Sequence, residues 1–194
     1  MTRIQAIDPA TATGKARTLL DAVKTKMGMA PNLTRVLANA PAALDGYLAF
    51  SGALAGGALD AKIREQIALA VAEANLCGYC LSAHTLIGGK VGLAKDDILA
   101  ARAANATAPR TDAILKLARA IVVSRGELTE NDFRSARQAG LGDSEIVETL
   151  AHVALNIFTN YLNHAAQTVI DFPRVEPGIT PAAACDTGAC GTKH

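Results

Sequence analysis

The sequence predicts an all-α fold, a multi-helix bundle with a C-x-x-C at the start of a core helix. Three observations predict it. Half of the residues are hydrophobic, yet aromatic residues make up only 4% and there is no tryptophan. Alanine supplies much of the apolar count, which suits closely packed helices better than a β-sandwich. Apolar residues recur at helical spacing through most of the chain, and no segment shows convincing β alternation.

The elements follow in order. Met1 to Thr11 reads as extended, because Pro9 disfavours helix at Asp8. From Ala12 to Met27 the apolar positions Ala16, Leu19, Leu20 and Val23 have helical spacing, Lys24 and Lys26 suit the last turn, and Gly28 is a stop. Pro31 opens a short helix through Ala38, and Pro41 opens another to about Leu54, broken by Gly56-Gly57. Asp60 caps a helix running to about Leu76, with Ile63, Ile67, Ala70, Val71 and Ala74 facing inward. Leu76, Cys77 and Gly78 interrupt that pattern, so a new helix begins near the cysteines and runs to Lys90, weakened at its end by Gly88-Gly89. Further helices are predicted over Lys95 to Ala104, Pro109 to Ser124, and from the Thr129 cap to Ala139, with Asp132 completing a capping box. A last pair is predicted over Asp143 to Thr159 and Asn160 to Ile170.

A length of 194 residues suits a single domain. The expected organisation is residues 1–173 as that domain, with 1–58 a helical extension and 59–173 the core, followed by a flexible Pro/Ala/Gly-rich tail over 174–194. A weak internal echo relates Val91 to Ile98 with Ala139 to Ile146. An alternative shift of eighty residues sets Glu145 against Glu65 and His164 against His84, with Ile157 and Asn160 in the cysteine places.

Nineteen basic and 18 acidic side chains leave a net charge of +1, which gives no electrostatic basis for nucleic acid or an anionic membrane as partner. No apolar run approaches the ~20 residues that span a bilayer. The start lacks the apolar core of a signal peptide. The expectation is a cytoplasmic protein, where C-x-x-C is redox-active or metal-binding more often than a structural staple.

The informative run is Glu65 to His84, EQIALAVAEANLCGYCLSAH. Cys77 and Cys80 are spaced C-x-x-C, and His84 follows Cys80 by one helical turn, on the same face. A cysteine at a helix N-terminus meets unpaired N–H groups and the positive end of the dipole, which favour thiolate, the reactive form. A nearby imidazole can take the thiol proton. Two blander readings stand beside this one. The cysteines could be small buried apolar residues. They could also hold structural zinc with Cys185 and Cys190 as further ligands, although nothing around the tail pair offers a scaffold.

The C-x-x-C-x-x-x-H, with a glutamate twelve residues before the first cysteine, resembles the alkylhydroperoxidase D (AhpD)-like branch of the carboxymuconolactone decarboxylase superfamily. The resemblance is strongest over Leu59 to Ile98. It implies an all-helical, thiol-dependent peroxidase that forms homo-oligomers, commonly trimers or hexamers. Cys80 matches the peroxidatic cysteine, which a hydroperoxide converts to sulfenic acid. Cys77 matches the partner that condenses with it to a disulfide. His84 matches the relay histidine and Glu65 the terminal base. No cofactor beyond the cysteine pair is implied, but an external dithiol, a lipoylated protein in the AhpD system, must reopen the disulfide. One departure stands out: Tyr79 occupies the place of the histidine that precedes the second cysteine in the best-studied peroxidases, and a phenol does not titrate near neutrality. The decarboxylase relatives work without this dithiol, so the cysteines argue against that activity. The rival functions are a thiol–disulfide oxidoreductase with little peroxidase activity and a non-catalytic, zinc-stabilised oligomeric binding protein.

Other polar residues carry weaker signals. Tyr79, His164 and Asn160 are candidates to line the thiol pocket. For His164, with Asn160 and Asn163, the alternative is a satisfied polar contact or a subunit interface. Glu73 is expected to be solvated or paired between helices, and His152 to be a surface or structural residue. Cys185 and Cys190 could form a tail disulfide, bind metal adventitiously or stay free, and His194 reads as a frayed end. Low aromatic content leaves a thin bundle with apolar surface suited to self-association.

Overall fold

The computed structural model describes residues 2–178. Among them the chain forms nine helices and no strand: α1 (Gly14–Met27), α2 (Asn32–Leu37), α3 (Pro41–Ala55), α4 (Ala61–Ala74), α5 (Gly78–Lys90), α6 (Lys95–Arg102), α7 (Pro109–Ser124), α8 (Glu130–Gln138) and α9 (Asp143–Ala166). The all-α expectation holds, and the cysteines stand at the start of α5.

Helix α4 is the axis of the molecule, packing against α5, α6, α7 and α9. The Asp60 carboxylate caps it by accepting from the Ile63 N–H at 2.9 Å. Because neighbours surround it, α4 has no single apolar stripe: every residue from Gln66 to Glu73 is buried. Ile67, Leu69 and Val71 are fully excluded from water, each worth about 1.5–3 kcal/mol of burial. Ala74, expected inward, lies exposed, because the helix is ending there and its last turn rises out of the layer. Ile114 and Leu115 of α7 and Val153 of α9 complete this core. A second cluster joins Leu20 of α1, Leu37 of α2 and Leu44 of α3, with Tyr47 and Leu162 against it.

The predicted break between Thr159 and Asn160 does not exist; α9 is one 24-residue helix. Neither glycine nor proline stands there, so nothing interrupts the hydrogen-bond ladder until Gln167 turns left-handed at φ 52°. Gly88 is used for proximity: a Cβ there would come within 3.1 Å of Leu93 Cδ1, so the glycine lets the following turn fold back on α5.

Part of the expected tail is packed. After α9 the chain crosses the start of α5 as a strap, and its residues 174–178 are among those described. Val175 N–H donates to Ser82 Oγ at 2.9 Å, Arg102 Nη2 donates to the Glu176 carbonyl at 2.8 Å, and Gly178 N–H donates to Glu73 Oε1 at 2.5 Å. Of the two readings of Glu73, solvated or paired between helices, the second holds: it is buried in an ion pair with Arg102 of α6, Nε to Oε2 at 2.8 Å. Cys185, Cys190 and His194 lie outside the described residues.

Candidate active site

The site is built on the turn between α4 and α5. Asn75 ends α4, Leu76 takes a left-handed conformation at φ 54°, and Cys77 N–H donates back to the Ala72 carbonyl at 2.8 Å. This tight reversal makes α4 and α5 a helical hairpin with Cys77 as the N-cap of α5 and Cys80 one turn in. Residues on facing sides of the hairpin then meet. His84 Nδ1 lies 2.7 Å from Glu65 Oε2, with both side chains mostly buried. Burial by itself would lower the His84 pKa. The Glu65 charge and hydrogen bond, helped by Cys77, outweigh it and hold the imidazole above its ordinary value.

The two thiols are free and buried, each 2% exposed. They share a proton unequally. Cys77 is lowered to about 7, first by the hydrogen bond from the Cys80 thiol, against the opposing effect of burial. Cys77 makes no side-chain cap hydrogen bond, so the Cys80 amide acts on it as a nearby dipole, and His164 and His84 add weaker attraction. Cys80 is pushed well above the ordinary thiol range by the same hydrogen bond to Cys77, by burial, and by the Cys77 charge. Asn163 and Asn160 oppose that rise. Asn163 Nδ2 donates to Cys80 Sγ at 3.3 Å, and Asn160, buried on α9, is itself held by Asn75 at 3.0 Å. The resting dithiol thus carries its first negative charge as a pair, weighted toward Cys77.

The sulfurs open in different directions. Cys80 lines a cavity of about 220 Å³ together with Glu65, His84, Tyr47, Tyr79 and His152. Cys77 lines a separate groove of about 550 Å³ under the strap, with His164, Phe172 and Pro177. Tyr79 is the wall between them and belongs to both. Its hydroxyl donates to Asp171 Oδ1 at 2.8 Å and accepts from the Leu33 N–H at 2.9 Å, while its ring meets Phe172 edge-on at 5.6 Å. Burial chiefly, and Asp171 beyond it, raise its pKa further, so the phenol stays protonated and works as a clasp.

The structure therefore gathers Glu65, His84 and Cys80 on one cavity and puts Cys77 at its back. Asn160 lines neither opening; it is buried on α9, where it acts to lower the Cys80 pKa. His164 does not reach the cavity: it is exposed, 2.9 Å from the Asn75 carbonyl through Nε2, on the Cys77 side. Glu145, its partner in the internal echo, pairs with Arg110 instead. His152 departs from the surface reading: it is 5% exposed and lines the cavity, with Nε2 unpartnered and 3.8 Å from Glu148. Burial, with Arg64 nearby, lowers its pKa despite Glu148 and Glu65, so it is neutral. Tyr47 is the residue that sequence reading missed. It comes from α3, outside the motif, and its hydroxyl is raised to about 12 by burial and by the Cys80 and Glu65 charges. Among the described residues no group of three or more His, Cys, Asp and Glu side chains is placed to hold a metal. No helix among them is long and apolar enough to cross a membrane.

The sequence model of the carboxymuconolactone decarboxylase family matches residues 41–123. No protein of curated function matches the chain at the sequence level. Among solved structures, a peroxidase-related protein of Ralstonia eutropha JMP134 described as an alkylhydroperoxidase AhpD core is 26% identical, with TM-score 0.76 over 88% of this chain and 92% of that one. A peroxidase-related protein of Silicibacter sp. TM1040 is 22% identical, with TM-score 0.74 over 87% and 94%. The debrominase Bmp8 has the same fold at 18% identity, TM-score 0.75, over 88% and 93%.

Proposed function

We propose that this chain is an AhpD-like relative of the carboxymuconolactone decarboxylase family and that it reduces hydroperoxides with the Cys77/Cys80 dithiol. One observation carries the reading: a carboxylate–imidazole pair at 2.7 Å opens onto the same small cavity as Cys80.

The steps follow from the proton arrangement. The pair of sulfurs holds one charge, and passage of the Cys80 proton to Cys77 makes Cys80 the thiolate facing the cavity. That thiolate attacks the terminal peroxide oxygen; the S–O bond forms as the O–O bond breaks. His84, kept protonated by Glu65, gives its proton to the leaving alkoxide, releasing an alcohol. Cys77 then attacks the sulfenic acid, forming the disulfide and expelling water. The two thiol protons leave in the alcohol, by way of His84, and in the water. Neutral His152 and the Tyr47 hydroxyl line the cavity as hydrogen-bonding groups for the peroxide. An external dithiol or a lipoylated protein restores the thiols.

The test is peroxide loss measured with a dithiol reductant. Cys80→Ser should abolish it, and turnover retained in that variant would refute the assignment. The fold alone does not choose the substrate, since one of its bearers is a debrominase. A second reading, thiol–disulfide oxidoreductase with little peroxidase activity, is favoured by the low-pKa Cys77 on a groove of its own. Reduction of a small disulfide that outpaces peroxide loss under the same reductant would select it.

Self-association belongs to the same reading. Val147, Leu150, Phe158 and Tyr161 form an exposed apolar stripe along α9, with Phe50 beside it. A homo-oligomer, trimer or hexamer, that buries this stripe is the proposed state in solution, and sedimentation reads it.

A further inference from the structure

Three helices each send two residues one turn apart to the Cys80 cavity: Arg64 and Ala68 from α4, Cys80 and His84 from α5, His152 and Asn156 from α9. The bond-breaking steps draw on the α5 pair and Glu65, and they leave Arg64 without a task. Arg64 is half-buried, its Nη1 donates to the Leu59 carbonyl at 2.6 Å, and it joins none of the ion pairs among the described residues. The nearby acids are committed elsewhere. Glu65 is held by His84 at 2.7 Å, and Glu148 accepts from the N–H groups of Ala58 and Leu59 at 2.8 and 2.9 Å. Beside Arg64 stands His152, 5% exposed, whose Nε2 has no hydrogen-bond partner. A polar atom is costly to bury unpaired, and this one belongs to a residue that borders an opening. The cavity therefore has two ends. The Cys80 and Glu65 charges act on the Tyr47 hydroxyl, whereas Glu148, Arg64 and Glu65 act on His152. Sulfur and phenol mark one end, guanidinium and imidazole the other.

We propose that Arg64 and His152 form an anion subsite, and that the hydroperoxides this chain reduces are compact ones carrying a carboxylate. The inference rests on the peroxide reading of Cys80. A guanidinium presents its N–H groups as a planar fork that matches a carboxylate, and the Nη1 bond to Leu59 fixes that fork in place. His152 is neutral, so Nε2 adds a hydrogen bond, in the tautomer that carries its proton there, without adding charge. The cavity of about 220 Å³ is little larger than the roughly 150 Å³ that holds benzene, which limits the substrate to roughly ten non-hydrogen atoms. That is room for a hydroperoxyl group, a short carbon link and a carboxylate. A thiolate repels an anion, and the two-ended arrangement answers this: the carboxylate stays at the Arg64 end while the uncharged hydroperoxyl meets Cys80. Anchoring one end of the substrate also orients the O–O bond toward the sulfur.

The test compares 3-hydroperoxy-3-methylbutanoate, which is tert-butyl hydroperoxide with a carboxylate on one methyl group, with its methyl ester. The readout is the ratio of their kcat/KM values for peroxide loss under one dithiol reductant, taken within each variant, so a variant that is slower overall still reports. The unmodified chain should prefer the carboxylate by about tenfold to a hundredfold, the range of a hydrogen bond to a charged group, and Arg64→Gln should lose that preference. Arg64→Lys, which keeps the charge without the fork, should retain part of it, and His152→Leu should lower it by about twofold to tenfold. A ratio near one in the unmodified chain overturns the proposal. So does an Arg64→Gln that slows both substrates alike, which would assign Arg64 to the thiolate instead of the substrate. If neither compound is reduced, the peroxide reading has failed, and the subsite is read without turnover, by calorimetry with 3-hydroxy-3-methylbutanoate. Saturable binding of one molecule per chain that Arg64→Gln abolishes supports the subsite; no binding, or binding kept in that variant, refutes it.

Discussion

Replacing Arg102 by methionine tests how the strap is held over the Cys77 groove. Arg102 and Glu73 are 8% and 9% exposed and meet at 2.8 Å, so solvent screens the pair little. Removing one partner of a buried pair costs about 3–5 kcal/mol, because the other charge is left uncompensated. Glu73 keeps the Gly178 N–H on its second oxygen, which places the expected loss at the lower end, about 3 kcal/mol. For a domain of this size each kcal/mol moves Tm by about 2–4 °C, so Arg102→Met should melt about 6–12 °C below the unmodified chain. The double variant Arg102→Met/Glu73→Leu removes both members of the pair and should recover part of the loss. Chemical denaturation measures both, and alkylation of Cys77 in the reduced protein should quicken in Arg102→Met as Glu176 loses its tie. An Arg102→Met loss under about 1 kcal/mol, or a double variant clearly worse than the single, would refute the view of this pair as a buried clamp.

Further outcomes follow from the proton arrangement and the turn. Cys77 should react with iodoacetamide along a curve centred near pH 7, and Cys77→Ser should move Cys80 reactivity to lower pH by removing the largest cause of its raised value. A Cys80 profile unchanged in that variant would count against the shared proton. His84 is held above its ordinary pKa, so the Glu65–His84 contact contributes fully below the unfolded imidazole value and fades as pH rises through the folded one. Denaturation of Glu65→Gln should accordingly show a larger deficit at pH 5.5 than at pH 9. Replacing His84 by glutamine should slow peroxide reduction by about 10²–10⁴-fold, read as single-turnover rate, and a rate within tenfold would remove it as the proton donor. Leu76 is 59% exposed and left-handed, so Leu76→Gly should relieve backbone strain for little lost burial, gaining up to about 1 kcal/mol in denaturant.

Much was legible because it is local. The all-α class came from spacing and alanine content; the Thr129 cap and the Pro109–Ser124 helix came from side chains that act within a few residues of themselves. The Glu65, Cys77, Cys80 and His84 set is named from its resemblance to the AhpD-like motif, which is compact in sequence because one helical hairpin holds all four. The errors were of another kind. Asn160 carries no local stop signal, so a break placed before it was a misreading of a polar patch inside α9. For His152 and Glu73 the sequence leaves surface and buried roles both open, because each is buried by elements far along the chain.

The sequence by itself determined the helices, the order of thiol, thiol and imidazole, and a carboxylate one helix earlier, since short-range sterics and hydrogen bonds suffice for these. Only the tertiary structure decided that Cys80 and Cys77 line different openings, that the first charge is weighted toward Cys77, and that Tyr47, His152 and the strap border the site. Those depend on which helices pack beside α5, and burial and proximity between residues forty to a hundred positions apart are set by the whole core rather than by any one stretch of chain.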